Sequence, residues 1–326
     1  MLRLPPFEYF TPQSVAEAVS LKAKHGSNAM YTAGGTDLFP NMKRRQFTPQ
    51  TLIGLRELKE LRMIIPDDGL IIGAGVSLSE VAEHPEVRKH YPVLAKAASL
   101  VSTPQLRNMG TFGGNLSLDT RCTYYNQTYP WRKALGFCLK KDGDICWVAR
   151  SSPKCLAVSS SDCAPVAVAL NAEFRLVGPE SERRVPAGQF YNNDGISYLN
   201  KNEDELLTSI HFPPHEGWLM NYKKLRRRDS IDFPILGVAT ALRLENNGDC
   251  AEARIVLGAV ASSPLLAYEA EKMLIGERLT SDRIEVAAQV AAKLAKPMDN
   301  TDMTLGFRKK MVTRFVTKAI KEALEN

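Results

Sequence analysis

Two double-glycine loops constrain this chain more than any other feature. "TAGGTDL" begins at Thr32 and "TFGGNLSL" at Thr111, and the first continues a short strand read from Ala29 to Ala33. Paired glycines reach φ > 0 freely and carry no Cβ, so backbone N–H groups there can approach a diphosphate closely. One such pair is more often just a tight turn. Two loops, each followed by hydroxyl or amide side chains (Thr36, Asn115, Ser117), point to a ligand with two phosphates. The chain has no G-x-G-x-x-G fingerprint and no Walker lysine motif, so a dinucleotide held here lies outside the Rossmann and P-loop families.

The flanking elements read as α+β. A helix begins with Thr11 as N-cap and Pro12 at its first position, and ends at Gly26. Strands follow at "TLIGL" from Thr51 and in "GLIIGAGV" from Gly69, and Ser77 with Glu80 forms a capping box. Further helices cover Pro92 to Val101 and the segment capped by Ser161 or Asp162, and "AEFRLVG" and "ELLTSIHFP" are strands. A second region begins near Trp218, with an antiparallel hairpin around "NNGD". Helices start at about Pro264 and at Ser281, and a last one carries the apolar stripe Met311, Val312, Phe315, Val316, Ala319, Ile320 and Leu324. The expected division is 1–217 and 218–326.

Four of the six cysteines, Cys122, Cys138, Cys146 and Cys155, fall in one segment without clear periodicity, spaced C-x15-C-x7-C-x8-C. Disulfides, a structural zinc and an iron–sulfur cluster compete to explain them. The N-terminal stretch interrupts any apolar core with Pro5, Pro6 and Glu8, so no signal peptide is expected and the chain reads as cytoplasmic. A reducing compartment disfavours disulfides. Zinc sites usually pair their cysteines at C-x2-4-C, and no pair here is that close; wide spacing suits a larger object reached from several directions. Between Cys122 and Cys155, Arg132, Lys133, Lys140, Lys141, Arg150 and Lys154 face only Asp142 and Asp144. Such a surplus suits an anionic cluster, a docking face for an acidic electron donor, or a merely solvated loop. Cys163 and Cys250 read as buried packing residues.

Several functions are disfavoured. The five histidines form no HExxH or H-x-x-x-H pattern, and Gly-x-Ser-x-Gly is absent. Net charge is +6, but the basic "YKKLRRRDS" stretch lacks interleaved aromatics, so no nucleic acid partner is expected. No apolar run approaches the roughly 20 residues that span a bilayer, so no membrane partner is expected.

In order, "YTAGGTDL", "TPQLRNMGTFGGNLSLD", "SSSDCAPV" and "YKKLRRRDSIDFPI" resemble the FAD-binding medium subunit of the molybdenum hydroxylases, the xanthine dehydrogenase and carbon monoxide dehydrogenase group. The resemblance covers essentially the whole chain. Medium subunits usually run directly from the second glycine loop to the "SDxxP" segment, whereas here residues 119–158 intervene. An insertion with four cysteines is similar to the 4-hydroxybenzoyl-CoA reductase branch, whose β subunit holds a 4Fe-4S cluster beside FAD.

The resemblance implies a two-subdomain FAD-binding region of the PCMH, or vanillyl-alcohol-oxidase-like, type, followed by a three-stranded antiparallel sheet with helices. It implies FAD contacts at Ala29, Met30, Tyr31, Thr32, Ala33, Gly34, Gly35 and Thr36, then Val101, Thr111, Gly113, Gly114, Asn115, Asp162 and Lys224, with Lys223 as the competitor for the last place. Cys122, Cys138, Cys146 and Cys155 would ligate the cluster. No residue of this chain is expected to be catalytic, because substrate chemistry would occur on a partner. The implied partners are a molybdopterin-binding large subunit and a 2Fe-2S small subunit, in a dimer of heterotrimers, with reduced ferredoxin as donor for the reductive dehydroxylation of 4-hydroxybenzoyl-CoA. Two other readings stay open at this point: a flavin subunit that passes electrons outward to NAD or a quinone, and a zinc-stapled assembly module without a redox role.

Overall fold

The computed structural model describes residues 2–325 and builds three sheets. β1 (Glu8–Phe10), β2 (Ala29–Thr32) and β3 (Thr51–Gly54) form a parallel sheet in the order β1-β3-β2. β3 is central and buried along its whole length, as a strand covered on both faces must be. The helix Val15–His25 crosses from β1 to β2. It starts later than Thr11 and Pro12 suggested: the Ser14 hydroxyl accepts the Glu17 N–H, and the Glu17 carboxylate accepts the Gln13 N–H. Ser14 thus satisfies a first-turn donor, which Thr11 does not, and Glu17 ties down the N–H just before the cap. Gly26 ends the helix at φ +54, as expected.

The second sheet is antiparallel, in the order β4 (Ile64–Pro66), β5 (Leu70–Gly73), β8 (Leu206–Phe212), β6 (Glu173–Val177), β7 (Glu182–Pro186). Between β5 and β6 the chain leaves the sheet and forms the helices that cover it, including Leu78–Glu83, Pro92–Ser99, Phe112–Leu116 and Cys163–Ala169. The expected capping box is present, with Ser77 and Glu80 bonding each other's backbone. At the head of the helix 163–169, Ser161 does the capping by accepting the Ala164 N–H at 3.0 Å, which leaves the Asp162 carboxylate for other partners.

The third sheet is antiparallel, with β9 (Trp218–Leu225), β10 (Leu236–Leu244), β11 (Cys250–Gly258) and β12 (Leu265–Leu266) in consecutive order. It has a fourth strand beyond the three expected. β12 is two residues long and pairs only with Val256 and Leu257, too short to leave a pattern in sequence. Period-two alternation gives this sheet two working faces. Ala239 and Ala241 join the core of the FAD-binding region, while Leu236, Val238 and Leu242 join a second core under the helices Ser281–Leu294 and Leu305–Leu324.

The inserted segment closes on itself. Arg121 and Val158 exchange both backbone hydrogen bonds, at 2.8 and 2.7 Å, forming a neck from which residues 122–157 project. The segment is anchored on several sides. The Gln46 amide donates to Tyr125 O, and buried Arg132 donates to Arg44 O and Arg45 O, just beyond the helix Leu38–Lys43. The Thr123 N–H donates to Asn300 O, and the Asn300 amide returns a bond to Leu156 O. Among the described residues, no helix is long and apolar enough to cross a membrane.

Candidate cofactor sites

The two glycine loops meet. A Cβ on Gly34 would lie 1.9 Å from the Met109 carbonyl oxygen, so only glycine permits the first loop to rest on the segment that leads into the second. Gly35 adopts φ +68, a conformation that favours glycine. Among the described residues, the N–H groups of Gly34, Gly35 and Thr36 donate to no other group of the chain. Thr32 adds a buried hydroxyl without a partner. A turn with several open N–H groups is what a diphosphate requires. Ala29, Met30 and Tyr31 lie upstream in β2, where Tyr31 donates its phenol proton to Asp204 O rather than toward the loop.

In the second loop, Thr111 caps the short helix 112–116 by accepting the Gly114 N–H at 3.2 Å. Gly113 packs against Ala74, where a Cβ would come within 2.5 Å of the Ala74 methyl. Gly114 is exposed and meets only the Thr111 hydroxyl. The Asn115 carbonyl oxygen accepts from the Ser161 hydroxyl at 2.7 Å and from the Cys163 N–H at 3.2 Å, tying this loop to the head of the helix 163–169.

That tie brings in Asp162. Its carboxylate is 3% exposed and accepts from Lys224 Nζ at 2.8 Å and from the Tyr222 hydroxyl at 2.9 Å. Burial pushes the carboxyl above its ordinary range, and the Lys224 ammonium opposes the shift. Lys224 also donates to Leu100 O at 2.9 Å, next to Val101, whose own carbonyl accepts from Arg107. Val101, Asp162 and Lys224, far apart in sequence, thus gather in one place. Lys223 points to the other side of β9 and pairs with Glu322 at 2.9 Å. Sequence reasoning missed Tyr222; the signal was strand alternation, which sets positions 222 and 224 on one face of β9 and 223 on the other.

The four inserted cysteines converge as well. Cys122, Cys138, Cys146 and Cys155 are each 5–8% exposed and line one small pocket with Tyr125, Leu139, Lys140, Trp147, Val148 and Ala157. Among the described residues, no three His, Cys, Asp or Glu side chains are set to hold a single metal ion. A mononuclear zinc needs thiolate sulfurs about 3.8 Å apart, from its tetrahedral geometry and Zn–S bonds of about 2.3 Å. Burial raises the Cys122 thiol to about 12 and the Cys155 thiol to about 11, so a ligated cation would have to stabilise their thiolates. Two features favour negative charge on sulfur: the Ala157 N–H donates to Cys155 Sγ at 3.4 Å, and the buried Lys140 ammonium lowers the Cys155 value. Lys140 is held by Asp119 Oδ1 at 2.8 Å, the Thr120 hydroxyl at 2.7 Å and the Gly195 carbonyl. All six cysteines are free, and Cys163 and Cys250 are fully buried.

An open glycine turn rests on the segment that leads into the second glycine loop and offers the free backbone donors a nucleotide diphosphate needs, and a buried acid–lysine pair is tied to that second loop through Asn115 and Ser161. Comparison with known proteins agrees. Residues 5–215 match the FAD binding domain in molybdopterin dehydrogenase, and residues 220–323 match the CO dehydrogenase flavoprotein C-terminal domain. The chain belongs to the FAD-binding medium subunits of the molybdenum hydroxylase family. It is 29% identical over 323 residues to the carbon monoxide dehydrogenase medium chain of Hydrogenophaga pseudoflava, covering 98% of this chain and 97% of that one. To an aldehyde oxidoreductase FAD-binding subunit of Escherichia coli it is 32% identical, over 88% of this chain and 92% of that one. The solved carbon monoxide dehydrogenase from Hydrogenophaga pseudoflava superposes with a TM-score of 0.83 at 29% identity, covering 99% of both chains. The expected PCMH-type fold is therefore present, followed by the antiparallel sheet and helices. The chain is an oxidoreductase subunit of that family.

Proposed function

We propose that this flavin subunit carries a second redox centre, a 4Fe-4S cluster held by Cys122, Cys138, Cys146 and Cys155, and that its complex is a reductase of the 4-hydroxybenzoyl-CoA type. The convergence of all four thiols on one buried pocket carries the reading. Its substrate assignment rests on the likeness of the insertion to that branch. When bound, the two groups would supply electron transfer from a reduced ferredoxin toward molybdenum on the partner chain.

The chain's own residues do the holding. Ala29 to Thr36, with Thr111, Gly113 and Gly114, would cradle the FAD diphosphate; Asn115 would brace the second loop, and Val101, Asp162 and Lys224 would line the remainder. Tyr125, Leu139, Trp147 and Val148 keep water from the thiol pocket, and Lys140 supplies a fixed positive charge there.

The names of the relatives support a second reading. Relatives named carbon monoxide, nicotinate and xanthine dehydrogenase are named for oxidation of their substrates, which fits a flavin subunit that delivers electrons outward to NAD or a quinone. Anaerobic purification of the complex with iron, sulfide, zinc and flavin quantitation separates the readings. We expect four irons and four sulfides per chain beyond those of the 2Fe-2S subunit. Cys138→Ser should remove the broad visible absorbance of this cluster and leave the flavin bands. One zinc per chain without the extra iron overturns the cluster, and efficient NAD reduction by the complex overturns the ferredoxin-fed direction.

A further inference from the structure

Arg121 stands where the thiol loop, the glycine loop and the C-terminal region meet. It precedes Cys122 in the chain, and its backbone forms one half of the neck that closes the insertion. Its guanidinium donates through Nη2 to the Asp37 carboxylate, two residues after Gly35. The same group lies over the Phe233 ring, 4.6 Å from its centroid, in the loop that joins β9 to β10. The side chain is 12% exposed, and its Nε–H is buried without any acceptor among the described residues.

An arginine offers five donors in a rigid fork, and a buried one left incomplete costs free energy. The incomplete donor here belongs to a cation that is tied to the glycine loop at one end and to the thiol loop at the other. Among the described residues, Asp37 is the only carboxylate paired with it, and Tyr125 and Tyr198 lie near it.

We propose that Arg121 is a positioning residue that fixes the glycine loop against the thiol loop and places one positive charge between the two cofactor sites, with its Nε–H reserved for an acceptor on the flavin nucleotide. The cluster half of this inference rests on the function proposed above; the flavin half does not. Two anionic groups held on either side of a cation are both easier to reduce than without it. Removing the charge also leaves Asp37 as an uncompensated anion beside both, which acts in the same direction.

The test uses the co-purified complex carrying Arg121→Gln or Arg121→Lys. It reads FAD dissociation, iron content, and the midpoint potentials of the flavin and of the cluster separately. In Arg121→Gln, loss of a charged hydrogen bond should speed FAD dissociation by about tenfold or more, and both midpoint potentials should fall. Arg121→Lys should restore both potentials and only part of the FAD retention, because a point charge replaces a fork. Flavin and cluster potentials at wild-type values in Arg121→Gln would overturn the proposal, even if FAD is lost faster, since a prop alone moves occupancy and not potential. If the wild-type complex holds no extra iron, the cluster reading has failed, and the flavin potential alone then decides the role of Arg121.

Discussion

At the scale of single residues, the Asp162–Lys224 pair is the most consequential contact outside the thiol pocket. Both side chains are 3% exposed or less, and Tyr222 completes the group. Burying two charges is favourable only while each satisfies the other, and removing one partner typically costs about 3–5 kcal/mol. Lys224→Met should therefore lower unfolding free energy by about that range, with the Asp162 carboxyl taking up a proton. The double variant Lys224→Met with Asp162→Asn should recover a large part of the loss, because no unpaired charge remains. Denaturant unfolding of the two single variants and the double one closes the cycle; a double loss equal to the sum of the single losses would mean that the pair carries no coupling. Asp162 and Lys224 were legible only through the motifs that surround them. Taken alone, "SSSDC" reads as a helix cap, and the cap turned out to be Ser161. Tyr222 was invisible because "WLMNYKKL" shows its alternation only once it is known to be a strand.

At the scale of elements, the insertion closes at a neck of one residue pair and is anchored to its surroundings through Gln46, Arg132 and Asn300. Its spacing and its cysteines stood out in the sequence, and so did its position between Leu118 and Ser159. The neck did not, because one antiparallel bridge between Arg121 and Val158 leaves no periodic trace. The anchors were equally hidden, since Gln46, Arg132 and Asn300 act through backbone carbonyls, which any residue can supply. The neck has a consequence. With Arg121 and Val158 already joined by backbone bonds at 2.8 and 2.7 Å, replacing residues 123–157 by a short Gly-Ser turn should leave the flavin loops in place. Closing so short a loop costs little entropy compared with the native one. The excised chain should fold, retain FAD in its complex, and lack every cluster signal. Loss of FAD together with iron would show instead that the insertion props the glycine loop, through the contacts of Tyr125 and Arg132 with Gln46, Arg44 and Arg45 just beyond it.

At the scale of the whole molecule, the two regions that meet near residue 217 pack through a shared apolar face and a buried ion pair. The third sheet buries one face against the helix 163–169 and the other against its own helices, so each region supplies half of a shared wall. Tyr222, Ala239, Ala241 and Val256 sit in the core of the FAD-binding region although they lie beyond that boundary. Regions joined by a large apolar face and a buried ion pair unfold together, unlike domains linked by small polar interfaces. Heating the full chain should therefore give one transition, with calorimetric and van't Hoff enthalpies that agree. A chain cut after residue 217 loses Tyr222 and Lys224, strands Asp162 as a buried lone carboxylate, and bares the apolar face of Cys163, Val166 and Ala167. It should aggregate or bind a hydrophobic dye, and it should hold no FAD even though both glycine loops are intact. A soluble 1–217 fragment that binds FAD with native affinity would mean that the sheet is only an appendage, and that the acid–lysine pair plays no part in building the flavin site.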